Sequence, residues 1–194
     1  IKKGSVKVEE KYFWKICDKM IESAQKDEEA ADLLKSMYQK AEDYVAVRRM
    51  WNQMSEAEIC RRDSDRRELH DLFIHSFNEL VQYIELQTKE NDWKKITNDR
   101  KSAGDFAEYI VRKKETIEER LDILGALSWA LKYQAQVMFL INESRDTKDA
   151  KNKMVNQYGF HDRQAQAIID MRLKAFILPE KEKLTKEISE YQRW

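Results

Sequence analysis

The stretch that decides the fold is SAGDFAEYIVRKKETIEERLDILGALSWALKYQAQVMFLIN, residues 102–142. Its apolar residues, including Phe106, Ile110, Ile117 and Leu131, recur at the intervals of an amphipathic helix. No proline interrupts the stretch. We therefore predict one long brace helix over about 102–142, which at a rise of about 1.5 Å per residue is on the order of 60 Å long. Helices of this length usually pack as a coiled coil or brace two subdomains.

The composition extends the helical prediction to the whole chain. Its 194 residues include only four glycines and one proline, which is too few for the turns that sheets and long loops need. Charged residues make up 37% and hydrophobic residues 42%, a mixture typical of amphipathic helices rather than of disorder. We predict an all-α protein with an N-terminal helical bundle over residues 1–113. A second domain, residues 114–194, is predicted to carry the brace helix into a small C-terminal helical knob.

Three local signals mark helix ends. Ser55 precedes Glu58 by three residues, which is the pattern of a capping box. Gly159 follows an apolar-periodic segment and suits a helix C-terminus. Pro179 stands where the first turn of the last helix is expected.

Charge and hydropathy restrict the partners. The 36 basic and 36 acidic residues balance to a formal charge of zero, which argues against nucleic acid as a partner while leaving room for a local basic patch. No apolar run approaches the ~20 residues that a membrane-spanning helix needs, and no signal peptide is recognisable. We expect a cytoplasmic protein without a membrane contact.

The sequence predicts neither a cofactor nor a metal site. It contains no glycine-rich phosphate loop, serine elbow or CxxC motif. Cys17 and Cys60 have no metal-ligand spacing and are predicted to be reduced packing thiols. His70 and His75 point to different sides of a helix, and His161 is isolated in the sequence.

The C-terminal part resembles a known family. The run QAQAIIDMRL at residues 164–173, with RLDIL at 120–124 upstream, is similar to the C-terminal gate of the A subunits of bacterial type IIA DNA topoisomerases. The similarity covers residues 120–191. It continues in register through the last helix, at Glu180, Lys183, Leu184 and Glu187.

That resemblance implies a homodimer. In the family this segment is the end of a coiled coil and a helical knob that contacts its symmetry mate, and such an isologous contact uses the same patch on both copies. Carried over, it places a dimer interface at Ala167, Ile168, Met171, Leu173 and Phe176.

The same resemblance argues against topoisomerase catalysis. The family cleaves DNA with a tyrosine that follows an arginine on a winged-helix domain, and none of the eight tyrosines here follows an arginine. The residues after the Met-Arg-Leu run, Ile177-Leu178-Pro179, also depart from the family's threonine-glycine. Residues 8–113 resemble an uncharacterised bacterial family of helical proteins, through RRELHDLFIHSFNEL and NDRKSAGDFAEYI, which brings no activity with it.

One polar cluster is a candidate site. Arg66 and His70 fall four residues apart inside the apolar arc of their helix. A buried guanidinium needs an acidic partner, and the candidates are Asp99 and Asp105, on either side of Ser102-Ala103-Gly104, where Gly104 would let another backbone approach. We hypothesise an inter-helix network of these four residues with Arg100. Such a network is either a buried ion pair that fixes helix register or a pocket in which arginine binds phosphate and histidine transfers a proton. A third possibility is that the helical phase near the start of this helix differs from the predicted one, so that Arg66 and His70 lie outside the apolar arc.

Three functional hypotheses follow from these patterns. The first is a non-catalytic homodimeric scaffold or interaction protein. The second is a phosphate-handling enzyme or binder, acting on nucleic acid or nucleotide and centred on Arg66 and His70. The third, which follows from the resemblance alone, is a mimic that docks on topoisomerase subunits.

Overall fold

The computed structural model describes residues 3–51, 53–84, 93–171 and 178–194. Within these ranges the chain is helical and contains no strand, which confirms the all-α prediction. It divides into two compact units, residues 1–114 and 115–194. The helices are α1 Lys3–Ala24, α2 Glu28–Trp51, α3 Glu56–Ile84, α4 Trp93–Asn98, α5 Arg100–Lys132, α6 Gln134–Asn142, α7 Thr147–Tyr158, α8 Asp162–Ile169 and α9 Leu178–Tyr191.

Large side chains form the core of the first unit. Helix α2 packs against α1 and α3, and the buried positions of each helix recur at three- and four-residue spacing, as a core-facing stripe requires. Phe73 and Phe77 of α3 meet Phe106 of α5, with the rings of Phe77 and Phe106 edge to face at 5.3 Å between centroids. Such an arrangement of aromatic rings stabilises the core beyond the burial of apolar area alone.

Small side chains form much of the core of the second unit. Its buried residues include four alanines, and the partly buried aromatic rings of Trp129 and Phe160 pack against the outside of this core. Alanines at a helix contact let the helix backbones approach closely, so short helices can share a small core. The buried set is Ala126, Ala130, Val137, Leu140, Ala150, Met154, Ala165 and Ile168.

The single brace helix predicted over residues 102–142 is wrong in one respect, because the structure divides it. Helix α5 ends at Lys132 and α6 begins at Gln134, with Tyr133 between them at φ −110° and ψ 37°, outside the helical region. The buried positions Ala126, Ala130 and Val137 keep the same helical phase across the break. The apolar periodicity therefore contained no sign of it.

The predicted helix-end signals are confirmed. The backbone N–H and hydroxyl of Ser55 both donate to the Glu58 carboxylate, at 2.9 and 2.7 Å, before α3. Gly159 ends α7 in the left-handed region at φ 73°, a conformation that favours glycine. Pro179 is the second residue of α9, where its missing N–H leaves no helical hydrogen bond unmade.

Candidate functional site

Arg66 finds its acidic partner within its own helix. Asp63, one turn earlier on α3, accepts hydrogen bonds from Nε at 3.1 Å and from Nη2 at 2.6 Å. The hydrogen bond from Arg66 lowers the pKa of the Asp63 carboxyl below its usual value. The guanidinium also stacks over the Trp51 ring at 4.9 Å, a favourable cation–π contact.

His70 is buried, as its place on the apolar arc predicts. Only 8% of the residue is exposed, and its ring lies edge-on to Tyr44 at 5.5 Å. Nδ1 lies 2.8 Å from Asp71 Oδ1, and Nε2 has no hydrogen-bond partner among the described residues. An imidazole enclosed in this way does not present a nitrogen to a substrate in solution.

The three remaining members of the predicted network lie elsewhere. Asp99 caps the start of α5, where it accepts from the Ser102 N–H at 3.0 Å and hydroxyl at 2.7 Å, and the hydroxyl's hydrogen bond lowers the pKa of Asp99. Arg100 is exposed at the first residue of α5. Asp105 pairs with Arg48 of α2 at 3.6 Å.

The predicted network of five residues is therefore not assembled. Within the described chain, Arg66 pairs along α3, Asp99 caps α5 and Asp105 faces α2. The physical reason is the short reach of an i,i+3 pair, because Asp63 meets Arg66 without any tertiary constraint. The prediction considered only acidic residues on another helix and therefore did not include Asp63.

A different group of charges lines a cleft in the first unit. It measures about 360 Å³, and three arginines and two carboxylates surround it. Of the predicted site residues, only Asp105 belongs to this group. The lining residues are Arg48, Arg49, Asp105, Glu108 and Arg112.

Gly104 is the signal that could have pointed to this cleft. The sequence predicted a close approach at this glycine, and the structure places the Arg48 guanidinium there instead of a backbone. A Cβ atom built on Gly104 would lie 1.2 Å from Arg48 Nη1. The absence of a side chain at Gly104 therefore makes the room that the guanidinium occupies.

The second unit contains a polar cluster that the sequence patterns did not reveal. His161 caps α8, where its Nδ1 accepts from the Gln164 N–H and the Gln164 side chain accepts from the His161 N–H at 3.1 Å. His161 Nε2 pairs with the Asp122 carboxylate, and Gln164 Nε2 donates to the same carboxylate at 2.8 Å. Because Nδ1 accepts, the proton of the neutral ring lies on Nε2 and points to Asp122. The cluster therefore joins α8 to α5.

Comparison with known proteins assigns this part of the chain. The family described as the A subunit of DNA gyrase/topoisomerase IV matches residues 106–193. Residues 106–193 form a topoisomerase A-subunit-like segment. The DNA gyrase A subunit of Clostridium acetobutylicum is 31% identical to this chain over 93 residues, which are 45% of the chain and 11% of that relative.

Two further relatives agree on the A-subunit-like segment. The DNA gyrase A subunit of Deinococcus deserti is 36% identical over 85 residues, which are 44% of this chain and 10% of the relative. The DNA topoisomerase 4 A subunit of Staphylococcus epidermidis is 36% identical over 78 residues, 40% of this chain and 10% of the relative. The chain thus spans about a tenth of the length of the curated relatives it matches. No solved structure matches the chain.

Residues quoted for the resemblance hold the A-subunit-like segment together. Arg120, near its start, donates to Glu187 of α9 from Nε at 3.0 Å and from Nη2 at 2.7 Å. Gln164, the first residue of the QAQA run, bonds Asp122. Ala165, the next residue, is fully buried. These positions have a structural role within one chain.

The predicted dimer residues divide into three groups in the A-subunit-like segment. Ile168 is only 2% exposed and belongs to the core of its own unit, so a single chain already covers it. That core combines buried residues of α5, α6, α7 and α8. Ala167 and Met171 are partly exposed. Leu173 and Phe176 lie outside the described residues.

An exposed apolar pair on α6 was not predicted. Phe139 is 66% exposed and the neighbouring Met138 41% exposed, although Val137 and Leu140 on either side are buried. Single exposed apolar side chains are common on protein surfaces, whereas adjacent large ones mark a candidate interaction surface. The apolar pattern of residues 102–142 did not reveal the pair, because apolar residues occupy more than one face of the helix around positions 138 and 139.

The described residues contain neither a metal-binding group nor a membrane-spanning helix. Among residues 3–51, 53–84, 93–171 and 178–194, no three histidine, cysteine, aspartate or glutamate side chains are grouped to hold a metal ion. Within the same ranges, no helix combines the length and the apolar character that crossing a bilayer requires.

Proposed function

We propose that the protein is a non-catalytic, homodimeric helical scaffold of the cytoplasm, and that its A-subunit-like segment supplies the dimer contact. The first unit would then be the part that the scaffold presents to other molecules. The observation that carries the proposal is the family match over residues 106–193. In the family that this segment resembles, the corresponding segment contains a helical knob that contacts the same knob of a second subunit.

The apolar surface of α6 supports this proposal. Phe139 and Met138 are adjacent and exposed, and water contact with two large apolar side chains is unfavourable by roughly 25 cal/mol for each Å² that a partner could cover. A second copy of the chain offers the same patch, so an isologous contact would cover both copies at once. Ala167 and Met171 stay in the proposed interface because they are partly exposed.

The proposal is tested by the mass of the chain in solution and by one pair of variants. We expect wild-type protein at micromolar concentration to elute from size exclusion with a light-scattering mass twice the 23.3 kDa of one chain. Phe139→Ser should shift that mass toward the monomer. The matched control is Leu72→Ser, because Leu72 is a 39% exposed leucine on α3 of the first unit.

A result with both variants dimeric would remove α6 from the interface, and a monomeric wild-type chain would reject the scaffold. Loss of the dimer in both variants would indicate a general folding defect, which the helical signal in circular dichroism would reveal. A dimer lost only in Phe139→Ser is the result that supports the proposal.

Docking on a topoisomerase A subunit is the second candidate. It is favoured by one observation, that the chain is 30–39% identical to several A subunits over a single segment, so a mixed contact would use nearly the same surface. Mixing the purified chain with the A subunit of a DNA gyrase and measuring the masses of the complexes tests it. Absence of a mixed species retires this candidate and leaves the homodimer untouched.

The phosphate-handling alternative centred on Arg66 and His70 receives less support. Arg66 is engaged by Asp63, and His70 is enclosed against Tyr44. Neither side chain lines the charged cleft of the first unit. An enzymatic role for this pair would require both side chains to leave their present contacts.

A further inference from the structure

The charged cleft of the first unit carries more positive than negative charge. Three guanidinium groups and two carboxylates line it, which leaves a formal excess of one positive charge in a chain whose total charge is zero. A cleft of about 360 Å³ falls within the range of roughly 300–1,000 Å³ that small-molecule sites occupy. This site does not depend on the oligomeric state proposed above.

The two carboxylates hold the arginines unequally. Glu108 Oε1 accepts from Arg49 Nε at 3.1 Å and from Arg112 Nε at 2.7 Å, which fixes these two side chains on either side of it. Glu108 is 21% exposed, whereas its partners Arg49 and Arg112 are 41% and 72% exposed, so solvent partly screens both ion pairs. Asp105, by contrast, meets Arg48 through one contact of 3.6 Å.

Of the three guanidinium groups that line the cleft, that of Arg48 therefore makes the weakest polar contacts. Its polar contacts within the described chain are the Tyr44 hydroxyl at 3.5 Å and Asp105 at 3.6 Å. Both are longer than the 2.7–2.9 Å of a charge-assisted hydrogen bond. A guanidinium has five N–H donors in a planar fork, and the Arg48 side chain is 31% exposed, so donors that these two contacts leave unused can reach a ligand.

The missing side chain at Gly104 leaves the space in which that fork lies. Arg48 Nη1, Cζ and Nη2 lie 1.2, 2.2 and 2.8 Å from the position of a Cβ atom built on Gly104. Any residue other than glycine would therefore displace the guanidinium from the wall of the cleft. The side chain also lies over the Tyr44 ring at 5.7 Å, which limits its freedom on the opposite side.

We propose that this cleft binds the phosphate group of a small phosphorylated molecule, with Arg48 as the principal ligand-binding residue and Arg112 at the rim. Phosphate oxygens match the arginine fork in bidentate geometry. The small size of the cleft, and the two carboxylates in its lining, favour a small phosphomonoester over the extended backbone of a nucleic acid. A nucleic-acid groove would need a continuous basic surface to release counterions.

Isothermal titration of the full chain with inorganic phosphate and with pyrophosphate, at constant ionic strength, tests the proposal. We expect one saturable site per chain for pyrophosphate, with a Kd at or below about 1 mM. Arg48→Gln should weaken binding about tenfold or more, since it removes the charge-assisted hydrogen bonds. Gly104→Ala should weaken it to a similar extent while leaving every charge in place.

Two matched controls separate the cleft from general effects. Gly125→Ala changes a glycine of the same helix whose added Cβ would meet nothing within 4 Å, and it should bind pyrophosphate like the wild type. Arg61→Gln removes one positive charge from an exposed position of α3, and it should also bind like the wild type. Circular dichroism of each variant at the titration temperature establishes that it is folded.

Three results would overturn the assignment. The first is no saturable binding of either anion to the wild-type chain. The second is an equal loss in Arg61→Gln and Arg48→Gln, which would reduce the effect to net charge. The third is tighter binding of an oligonucleotide than of pyrophosphate with the same dependence on Arg48, which would make the ligand a nucleic acid.

Discussion

The two units of this protein place their aromatic side chains differently. In the first unit, Phe73, Phe77 and Phe106 are fully buried and contact one another. In the second unit, small residues fill much of the core, while Trp129 packs on its outside and Phe139 is 66% exposed. The first unit thus buries its core phenylalanines completely, and its exposed apolar residues Met50, Leu72 and Tyr83 are only 38–43% exposed. The second unit leaves Phe139 largely exposed, which is the physical basis for the proposal that the A-subunit-like segment associates.

Truncating one phenylalanine in each unit tests this contrast most strongly. Phe106→Ala should lower the free energy of unfolding by about 3–5 kcal/mol, because it leaves a cavity among three other aromatic rings. Phe139→Ser, at an exposed position, should change it by no more than about 0.5 kcal/mol. Urea denaturation at a concentration low enough to keep the chain monomeric measures both, since a dimer would add its own stabilisation.

Comparable losses in these two variants would break the contrast between the units. Such a result would mean that Phe139 is covered within one chain. It would remove the structural argument for α6 as an interface.

Enlarging a small core residue tests the second unit from the opposite direction. Ala165 is fully buried at the start of α8, so Ala165→Leu should destabilise the protein by about 1–3 kcal/mol through overpacking. The control is Ala135→Leu, at an exposed position of α6, which should stay within about 0.5 kcal/mol of the wild type. Thermal denaturation followed by circular dichroism distinguishes them, and an unaffected Ala165→Leu would show that this core has spare volume.

The cluster that joins α8 to α5 should have a smaller effect. Asp122→Ala removes the acceptor of both His161 and Gln164. Because Asp122 and His161 are about half exposed, solvent screening reduces the expected loss to about 1 kcal/mol. The double variant Asp122→Ala/His161→Ala also loses the cap of α8, so it should cost more than Asp122→Ala but less than the sum of the two single variants. Additive losses in the cycle would mean that the two side chains do not interact.

Acid should lower the stability of both units, because each contains helix-end carboxylates whose pKa values are lowered by hydrogen bonds. Hydrogen bonds from the Ser55 hydroxyl to Glu58, from the Ser102 hydroxyl to Asp99 and from the Arg145 N–H to Asp149 lower the pKa values of these carboxyls. Their contribution to stability is complete above the pKa of the unfolded chain, about 4, and is lost as the pH falls through the lower pKa values of the folded protein.

The urea midpoint should accordingly decrease between about pH 5 and pH 2. Asp99→Asn and Asp149→Asn should each reduce that dependence, since an amide does not titrate. A midpoint that is constant over this range in the wild type would contradict the assignment of these caps.

The sequence was sufficient where the deciding residues are neighbours in the chain. Ser55 with Glu58, and Gly159 with the helix before it, are local patterns, and the structure has both. Tyr133 shows the limit, because the break there leaves the apolar stripe in phase and involves neither proline nor glycine. Periodicity alone therefore predicts a continuous helix.

The candidate site was harder to predict because it depends on which helix supplies the partner. The burial of His70 followed from its place on the helix, but the partner of Arg66 was expected on α5 and lies three residues away on α3. Arg48 and Arg112 have the sequence surroundings of ordinary surface arginines, and only the packing of α2 with α5 brings them together. Their shared cleft is a tertiary property that no short pattern in the sequence encodes.

The mass of the unmodified chain in solution tests the central claim most directly. Sedimentation equilibrium over a series of micromolar concentrations should give a species of twice the 23.3 kDa chain mass that dissociates on dilution. A single species of 23.3 kDa at every concentration would contradict the account. The exposed Phe139 would then have no second copy to cover it.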